Sequence, residues 1–328
     1  MSKSPLTMSA LEALSAETTS LAGRAGEQVV WLNSRAGYPT SATLWENGYV
    51  VTADHVVDRE AGIVVTFADG EEKEAKVAGR DSTSDLALLA VDTGARKVAD
   101  RVDASELKPG QLALALSRNS EKSLNASLAV VNAIGGEWQT PGGATIDHFI
   151  RVDVRTHAGF SGGPLVDAQG RLIGINSARL SRQSPVAVPA ATVGRIAKEL
   201  KERGHIRRGY LGIASFPVGI PESLGRKIAG APESGLLIMQ TEPGSAAEAG
   251  GLLIGDILIA VKGTPTREPE ELQAALGPET VGTRVTAKVI RGGSELDLQL
   301  EVGERPQPQH GAGRASYRGR RRRSRHGE

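Results

Sequence analysis

A serine flanked by glycines carries the strongest chemical signal in this sequence. It lies in the segment GFSGGPL, residues 159–165. Glycines on both sides let the backbone turn sharply and direct its N–H groups toward one point, as a nucleophilic serine and a developing oxyanion require. The same glycines are typical of a tight structural turn, so Ser161 by itself does not establish a nucleophile.

A serine nucleophile needs a general base, and His55 is the histidine best placed to act as one. It follows a β-branched run in YVVTADHVV, residues 49–57, where a strand can hold it rigidly. A carboxylate that could orient the imidazole lies in DSTSDLALL, residues 81–89, where Asp85 joins a polar loop to an apolar strand. The pattern predicts a catalytic set in the chain order His55, Asp85, Ser161.

The elements around these residues are short β-strands separated by turns. The β-type runs are residues 29–32, 41–45, 49–52, 63–67, 73–79, 86–91 and 111–116. Such spacing without intervening helices favours antiparallel barrels or sandwiches. A helical run ends at Gly204, and the basic, glycine-broken stretch 204–209 indicates a domain boundary. The second module has strands at 236–241, 257–261, 285–291 and 296–302 and a helix at 269–276.

These residues and motifs resemble the trypsin-like serine endopeptidases of the HtrA (Deg) family. The segments around His55, Asp85 and Ser161 and the run GRLIGIN are similar to its peptidase domain. RGYLGI, EPGSAA, AGGL and GDIL, between residues 208 and 258, are similar to its PDZ domain. The resemblance implies a mainly β fold, with a two-barrel peptidase domain over residues 23–203 and an α+β PDZ domain over 204–303. We expect residues 1–22 to form a flexible extension and 304–328 a basic disordered tail.

The resemblance assigns roles to the catalytic set. Ser161 would attack the peptide carbonyl, His55 would take up and return the proton, and Asp85 would orient the imidazole. The N–H groups of Gly159 and Ser161 would form the oxyanion hole. The family usually has Asn immediately before the nucleophile, whereas this chain has Phe160, so the hole depends on where that ring packs.

The substrate pocket is less defined by the sequence. Arg155 and Thr156 occupy the positions that line the primary specificity pocket in similar enzymes. They favour small or polar residues before the cleaved bond, and acidic ones if Arg155 points inward. An outward Arg155 would leave an apolar pocket.

In the second module, the resemblance implies a groove for extended peptides. A PDZ domain adds a peptide as a strand at a sheet edge and holds its terminal carboxylate with backbone N–H groups. Tyr210, Leu211, Gly212 and Ile213 would form the carboxylate loop and the groove edge, opposite helix 269–276. Gly212 is suited to this position because the carboxylate must approach the backbone closely. Leu211 and Ile213 also fit a core position.

The implied function is ATP-independent cleavage of unfolded or exposed polypeptides in protein quality control, with C-terminal peptides bound at the PDZ groove. A catalytically degenerate scaffold that acts as a PDZ adaptor is the alternative. The resemblance also suggests homotrimers. No cofactor is expected, because the triad chemistry requires none.

Two other kinds of site fit the sequence poorly. His148 and His157, with nearby aspartates, lack the HExxH spacing, so no metal site is expected. The GxSxG spacing around Ser161 also matches the nucleophile elbow of α/β-hydrolases. That fold needs its histidine after the serine and alternating strands and helices, which disfavours it here.

Composition and charge complete the sequence-based expectations. The chain has 328 residues and no cysteine, which excludes disulfides and thiolate catalysis. Residues 304–328 carry a net charge of +6 and the remainder −5, so the tail could bind an anionic partner such as nucleic acid or anionic lipid. No apolar run is long enough to cross a bilayer, and residues 1–19 lack the apolar core of a secretory leader. We therefore expect a cytoplasmic location.

Overall fold

The computed structural model describes residues 9–34, 38, 40–119, 121, 123–140, 142–154, 159–181, 186–225 and 232–306. Its first unit is a closed six-stranded antiparallel barrel in the order β1-β2-β3-β6-β5-β4. The strands are β1 Val29–Leu32, β2 Ser41–Glu46, β3 Tyr49–Thr52, β4 Ile63–Thr66, β5 Glu72–Asp81 and β6 Leu86–Ala90. Alternating valine, isoleucine and leucine side chains from these strands fill the barrel core.

The second unit is another closed six-stranded barrel, in the order β11-β14-β13-β12-β7-β8. Its strands are β7 Leu112–Arg118, β8 Leu124–Gly135, β11 Phe149–Asp153, β12 Pro164–Asp167, β13 Leu172–Ser177 and β14 Val186–Pro189. A small hairpin of β9 Trp138–Gln139 and β10 Thr145–Ile146 lies between β8 and β11. The serine segment is the connection from β11 to β12.

Two helices cover the barrels. Helix α1, Ala10–Gly26, begins with a capping box in which Ser9 Oγ accepts the Glu12 N–H and Glu12 accepts the Ser9 N–H. Its last turns place Leu21 and Ala25 against the second barrel. The structure thus has a packed helix where we expected a flexible extension over residues 1–22. Residues 1–8 lie outside the described part of the chain.

Helix α2, Ala190–Arg203, packs against both barrels. Its buried face includes Val193, Ile196 and Leu200, in one cluster with Leu88 of the first barrel and Ile175 of the second. Gly204 ends the helix in the left-handed conformation, with φ of +79°. The helix therefore fixes the two barrels relative to each other.

After the stretch 204–208 the chain forms a C-terminal α+β domain. Its elements are β15 Gly209–Tyr210, β16 Ile213–Gly219, α3 Glu222–Gly225, β17 Ser234–Thr241, α4 Ala246–Ala249, β18 Ile257–Val261, β19 Thr264–Pro265, α5 Pro269–Ala275, β20 Arg284–Arg291, β21 Ser294–Glu301 and β22 Gly303–Glu304. The main sheet has the order β16-β17-β18-β20-β21, so β16 lies at its edge, and β15 pairs with β22.

The mainly β, two-barrel architecture with a C-terminal α+β domain confirms the predicted fold class. Within the described ranges, no helix has both the length and the apolar character needed to cross a bilayer.

Candidate active site

His55 lies in a one-turn 3-10 helix, Asp54–Val56, directly after β3. Its backbone N–H donates to Asp85 Oδ1 at 3.0 Å, and its ring Nδ1 lies 2.9 and 2.8 Å from the two Asp85 carboxylate oxygens. The His55 side chain is 23% exposed and that of Asp85 is fully buried. A buried carboxylate beside Nδ1 fixes the proton on that nitrogen and leaves Nε2 as the acceptor.

Asp85 is held in an unusual backbone conformation at the start of β6. Its φ of +56° lies in the left-handed region, which a non-glycine residue rarely adopts. Its carbonyl accepts the Asp54 N–H at 3.1 Å, and its Oδ2 accepts a hydrogen bond from Ser177 Oγ at 2.6 Å. Together with the two N–H groups of His55, Ser177 compensates for the burial of the charge.

Ser161 lies in a loop shaped by glycines and backbone hydrogen bonds. Gly159 and Gly162 have φ of +104° and +86°. The Gly162 N–H donates to Asn176 O at 2.9 Å, and its carbonyl accepts from Thr43 Oγ1 at 3.0 Å. A Cβ on Gly162 would lie 2.2 Å from both Ser41 O and Thr52 Oγ1. The loop is therefore pressed against the strand that leads to His55.

Two consecutive residues at the end of β13, Ser177 and Ala178, link the serine to the histidine–carboxylate pair. Ser177 donates to Asp85, while the Ala178 N–H donates to Ser161 Oγ at 3.3 Å. Within the described residues, His55 Nε2 makes no hydrogen bond. The structure thus brings His55 and Asp85 into direct contact and connects Ser161 to them through Ser177 and Ala178, without a serine–histidine hydrogen bond. Such catalytic hydrogen bonds often tighten only when substrate is bound.

The loop also presents donors for an oxyanion. In the part of the chain that the structure describes, the N–H groups of Gly159 and Ser161 have no acceptor. The Phe160 ring between them is only 4% exposed and lies in the second-barrel core with Val102, Val152 and Val154. Phe160 therefore anchors the serine loop in the second-barrel core.

Some expected site residues cannot be assigned a position. Arg155 and Thr156, the expected specificity pocket, lie outside the described residues, as do His157 and the basic tail from residue 307 onward. Over the described ranges, no three histidine, aspartate or glutamate side chains are grouped closely enough to hold a metal ion.

Sequence reasoning missed Ser177 and Ala178. The only local signal for them was their position just after GRLIGIN, which gave no indication that they contact Asp85 and Ser161. These contacts join residues 92 and 17 positions apart in the chain.

In the C-terminal domain, the four expected groove residues surround one turn beside the edge strand. Gly212 has φ of +75°, and a Cβ there would lie 2.2 Å from the Ser245 side chain. Its carbonyl accepts the Glu242 N–H at 2.8 Å, and the Leu211 carbonyl accepts the Ala247 N–H at 2.9 Å. These bonds hold the turn between Tyr210 and Ile213 against the loop that follows β17.

The groove residues divide between the core and the surface. Leu211 is buried in the domain core, Ile213 is half-buried, and Tyr210 donates its hydroxyl to Glu242 at 2.6 Å. The hydrogen bond to the Glu242 carboxylate, together with burial, raises the pKa of the Tyr210 phenol. Of Leu211 and Ile213, which both fit a core position by sequence, Leu211 is therefore the residue that is fully buried in the core.

Both the two-barrel region and the C-terminal domain are similar to known proteins. Residues 40–175 match the model of the trypsin-like peptidase domain, and residues 237–291 match that of the PDZ domain. The chain is 31% identical over 277 residues to the serine protease Do-like HtrA of Bacillus subtilis, covering 79% of this chain and 62% of that protein. It is 29% identical over 270 residues to the periplasmic serine endoprotease DegP of Escherichia coli K12, covering 80% and 56%. It thus spans less than two thirds of these curated relatives.

Solved structures show the same arrangement of domains. The HtrA-type protease AlgW with a decapeptide superposes with a TM-score of 0.71 at 25% identity, covering 89% of this chain and 99% of that one. AlgW with a tripeptide gives a TM-score of 0.69 at 27% identity, covering 89% and 98%. The likeness therefore extends through both barrels and the C-terminal domain.

The comparisons correct the expected cytoplasmic location, which is wrong. The relatives in Escherichia coli and Salmonella typhimurium are named periplasmic endoproteases. The expectation rested on the composition of residues 1–19, which does not identify a compartment. The two matched domains, the sequence relatives and the similar structures agree with one another: the chain carries a trypsin-like peptidase domain followed by a C-terminal PDZ domain and is similar to HtrA-type proteases.

Proposed function

We propose that this protein is an ATP-independent serine endopeptidase that cleaves unfolded or exposed polypeptides. The observation that carries the proposal is the link through Ser177 and Ala178, which donate to Asp85 Oδ2 and Ser161 Oγ from consecutive positions. This link supports a cleft in which a carboxylate-oriented imidazole and a serine hydroxyl act on one substrate carbonyl.

The reaction follows from the roles of the individual atoms. His55 Nε2 removes the Ser161 hydroxyl proton as Oγ attacks the scissile carbonyl, and Asp85 stabilises the imidazolium through Nδ1–H. The N–H groups of Gly159 and Ser161 donate to the oxyanion. The imidazolium then protonates the leaving amine, and water hydrolyses the acyl-enzyme with His55 again as the base.

The PDZ groove supports recruitment of peptides. Strand β16 is an edge strand, and the turn at Leu211 and Gly212 presents N–H groups that have no acceptor among the described residues. An extended peptide can therefore add to β16 and place its terminal carboxylate at this turn. The solved AlgW structures contain a decapeptide and a tripeptide, which agrees with peptide binding in this architecture.

Intact-mass analysis after treatment with a fluorophosphonate tests the nucleophile. We expect one adduct on the parent protein, none on Ser161→Ala, and full labelling of Ser105→Ala, which removes an exposed serine of the same domain. Absence of an adduct on the parent would favour the PDZ adaptor.

A cleavage assay tests the substrate class. The protein should cleave an unfolded polypeptide and leave the same polypeptide intact when it is folded. Equal cleavage of both forms would contradict this part of the proposal.

A further inference from the structure

A partly buried arginine contacts the turn that carries His55. Arg80, at the end of β5, donates from Nε to Asp54 Oδ1 at 2.5 Å. Its Nη2 donates to two backbone carbonyls, that of Asp54 at 3.1 Å and that of Val57 at 2.9 Å. The Arg80 side chain is 14% exposed and that of Asp54 is 3% exposed, so the ion pair is largely shielded from water.

These three bonds hold both ends of one short turn. The Asp54 and Val57 carbonyls flank His55 on either side, and the Val57 N–H itself donates to the Asp54 carbonyl at 3.0 Å. The planar guanidinium provides donors in a fixed geometry, whereas a lysine ammonium would be a single point charge on a flexible stem. Arg80 can therefore fix the turn as one unit.

The strand that bears Arg80 is itself firmly placed. The Arg80 N–H donates to the Gly204 carbonyl at the end of α2, at 3.1 Å. A Cβ on Gly79 would lie 2.7 Å from both the Leu200 and Gly204 carbonyls, so β5 lies directly against that helix end. The same strand ends at Asp81, four residues before Asp85. One rigid strand end thus contacts the His55 turn and begins the loop that carries Asp85.

We propose that Arg80 is a positioning residue that holds the His55 imidazole in register with the Asp85 carboxylate. It acts through the Asp54–Val57 backbone and contacts neither substrate nor the reacting atoms. Asp54 compensates the charge of the guanidinium and orients it. The kinetic consequence rests on the proposed peptidase function, whereas the geometric consequence concerns only the His55–Asp85 contact.

The test uses the full chain and four variants. Arg80→Ala removes all three bonds, Arg80→Lys keeps the charge, and Asp54→Asn keeps the two carbonyl bonds. Arg96→Ala is the matched control, because Arg96 likewise forms ion pairs in the first barrel, with Asp69 and Glu71 in and after the turn between β4 and β5. Each variant is examined for its thermal transition, for kcat and KM on a peptide, and for the downfield proton resonance of His55 Nδ1–H.

For Arg80→Ala we expect kcat to fall about 10- to 100-fold with little change in KM, since a displacement of about 1 Å at a catalytic group costs that much. The imidazole resonance should shift or broaden, and added methylguanidinium should restore part of kcat. Arg80→Lys should show the same loss of kcat and the same change in the resonance as Arg80→Ala. Asp54→Asn should lose less kcat, and Arg96→Ala should match the parent in every readout.

An Arg80→Ala protein that folds with unchanged kcat and an unshifted resonance would overturn the proposal. If Arg80→Ala does not fold, Arg80→Lys and Asp54→Asn decide the question by the same criteria. A parent protein that does not react with a fluorophosphonate would contradict the peptidase function only. The imidazole resonance would still report whether Arg80 positions His55.

Discussion

The two barrels hold their parts of the active site by different physical means. In the first barrel, charged side chains fix the histidine and its carboxylate through His55–Asp85 and Asp54–Arg80, and one hydroxyl donor, Ser177, comes from the second barrel. In the second barrel, the serine loop is fixed by the backbone conformations of Gly159 and Gly162 and by the buried ring of Phe160. Ser177 lies in the second barrel, but its hydroxyl contacts the carboxylate of the first.

The difference follows from what each group must do. A general base needs a defined tautomer and a stabilised positive charge, which the nearby Asp85 carboxylate supplies. A serine hydroxyl and two N–H donors need only a position and a direction, which backbone geometry supplies. We therefore expect kcat to be sensitive to changes of charge in the first barrel and to an added methyl group in the serine loop of the second.

Replacing the buried carboxylate tests the first barrel most directly. Asp85→Asn should lower kcat by about 10⁴-fold, because an amide no longer fixes the Nδ1–H tautomer or stabilises the imidazolium. Steady-state kinetics on a peptide substrate measure this effect, and the thermal transition shows that the fold is retained. A loss below about tenfold would mean that Asp85 does not orient His55.

An added methyl group tests the second barrel. Gly162→Ala should lower kcat by about 10²- to 10³-fold, because a Cβ there meets Ser41 O and Thr52 Oγ1 at 2.2 Å and must displace the oxyanion donors. Gly110→Ala is the matched control, since Gly110 has a similar φ of +93° and open space around it. Equal kinetic losses in the two variants would assign the effect to backbone strain rather than to the displaced loop.

Removing the hydroxyl that joins the barrels should have a smaller effect. Ser177→Ala deletes one hydrogen bond to a buried carboxylate, a loss of about 1.5 kcal/mol or about tenfold in kcat. In the Asp85→Asn background the same change should cost much less, because its charged acceptor is gone. A double-mutant cycle measures the coupling, and full additivity would contradict the assigned contact.

Acid should destabilise the first barrel through Asp81. Burial alone would raise the pKa of Asp81, but the bidentate Arg208 guanidinium and the Ser84 and Thr83 hydrogen bonds lower it below its usual value. The stability from the ionised carboxylate is therefore present above about pH 4, the unfolded pKa, and is lost as the pH falls toward the lower folded pKa.

Denaturant unfolding of the parent and of Asp81→Asn between pH 2 and 7 measures this contribution. The free energy of unfolding of the parent should fall more steeply than that of the variant below about pH 4. Parallel curves of unfolding free energy against pH would show that folding does not shift the pKa of Asp81. The Asn variant retains the side-chain volume, so packing is matched between the two proteins.

Local patterns in the sequence were enough for the elements and for the catalytic triad hypothesis. Short β-branched and apolar runs bounded by turn residues predict β3 over residues 49–52 and β18 over 257–261, both as the structure has them. Ser9 and Glu12 have the spacing of a capping box, which is a sequence signal for the start of α1 and argues against the flexible extension expected over residues 1–22.

Short-range features are readable from the sequence: the apolar strand runs, the glycines that permit the serine loop, and the order of His55, Asp85 and Ser161. Three long-range contacts depend instead on the folded chain: Ser177 donates to Asp85, Phe160 packs in the second-barrel core, and Arg80 binds the turn at Asp54. The physical reason is that periodicity and turn preferences act over a few residues, whereas these contacts depend on barrel closure and on the packing of α2 between the barrels.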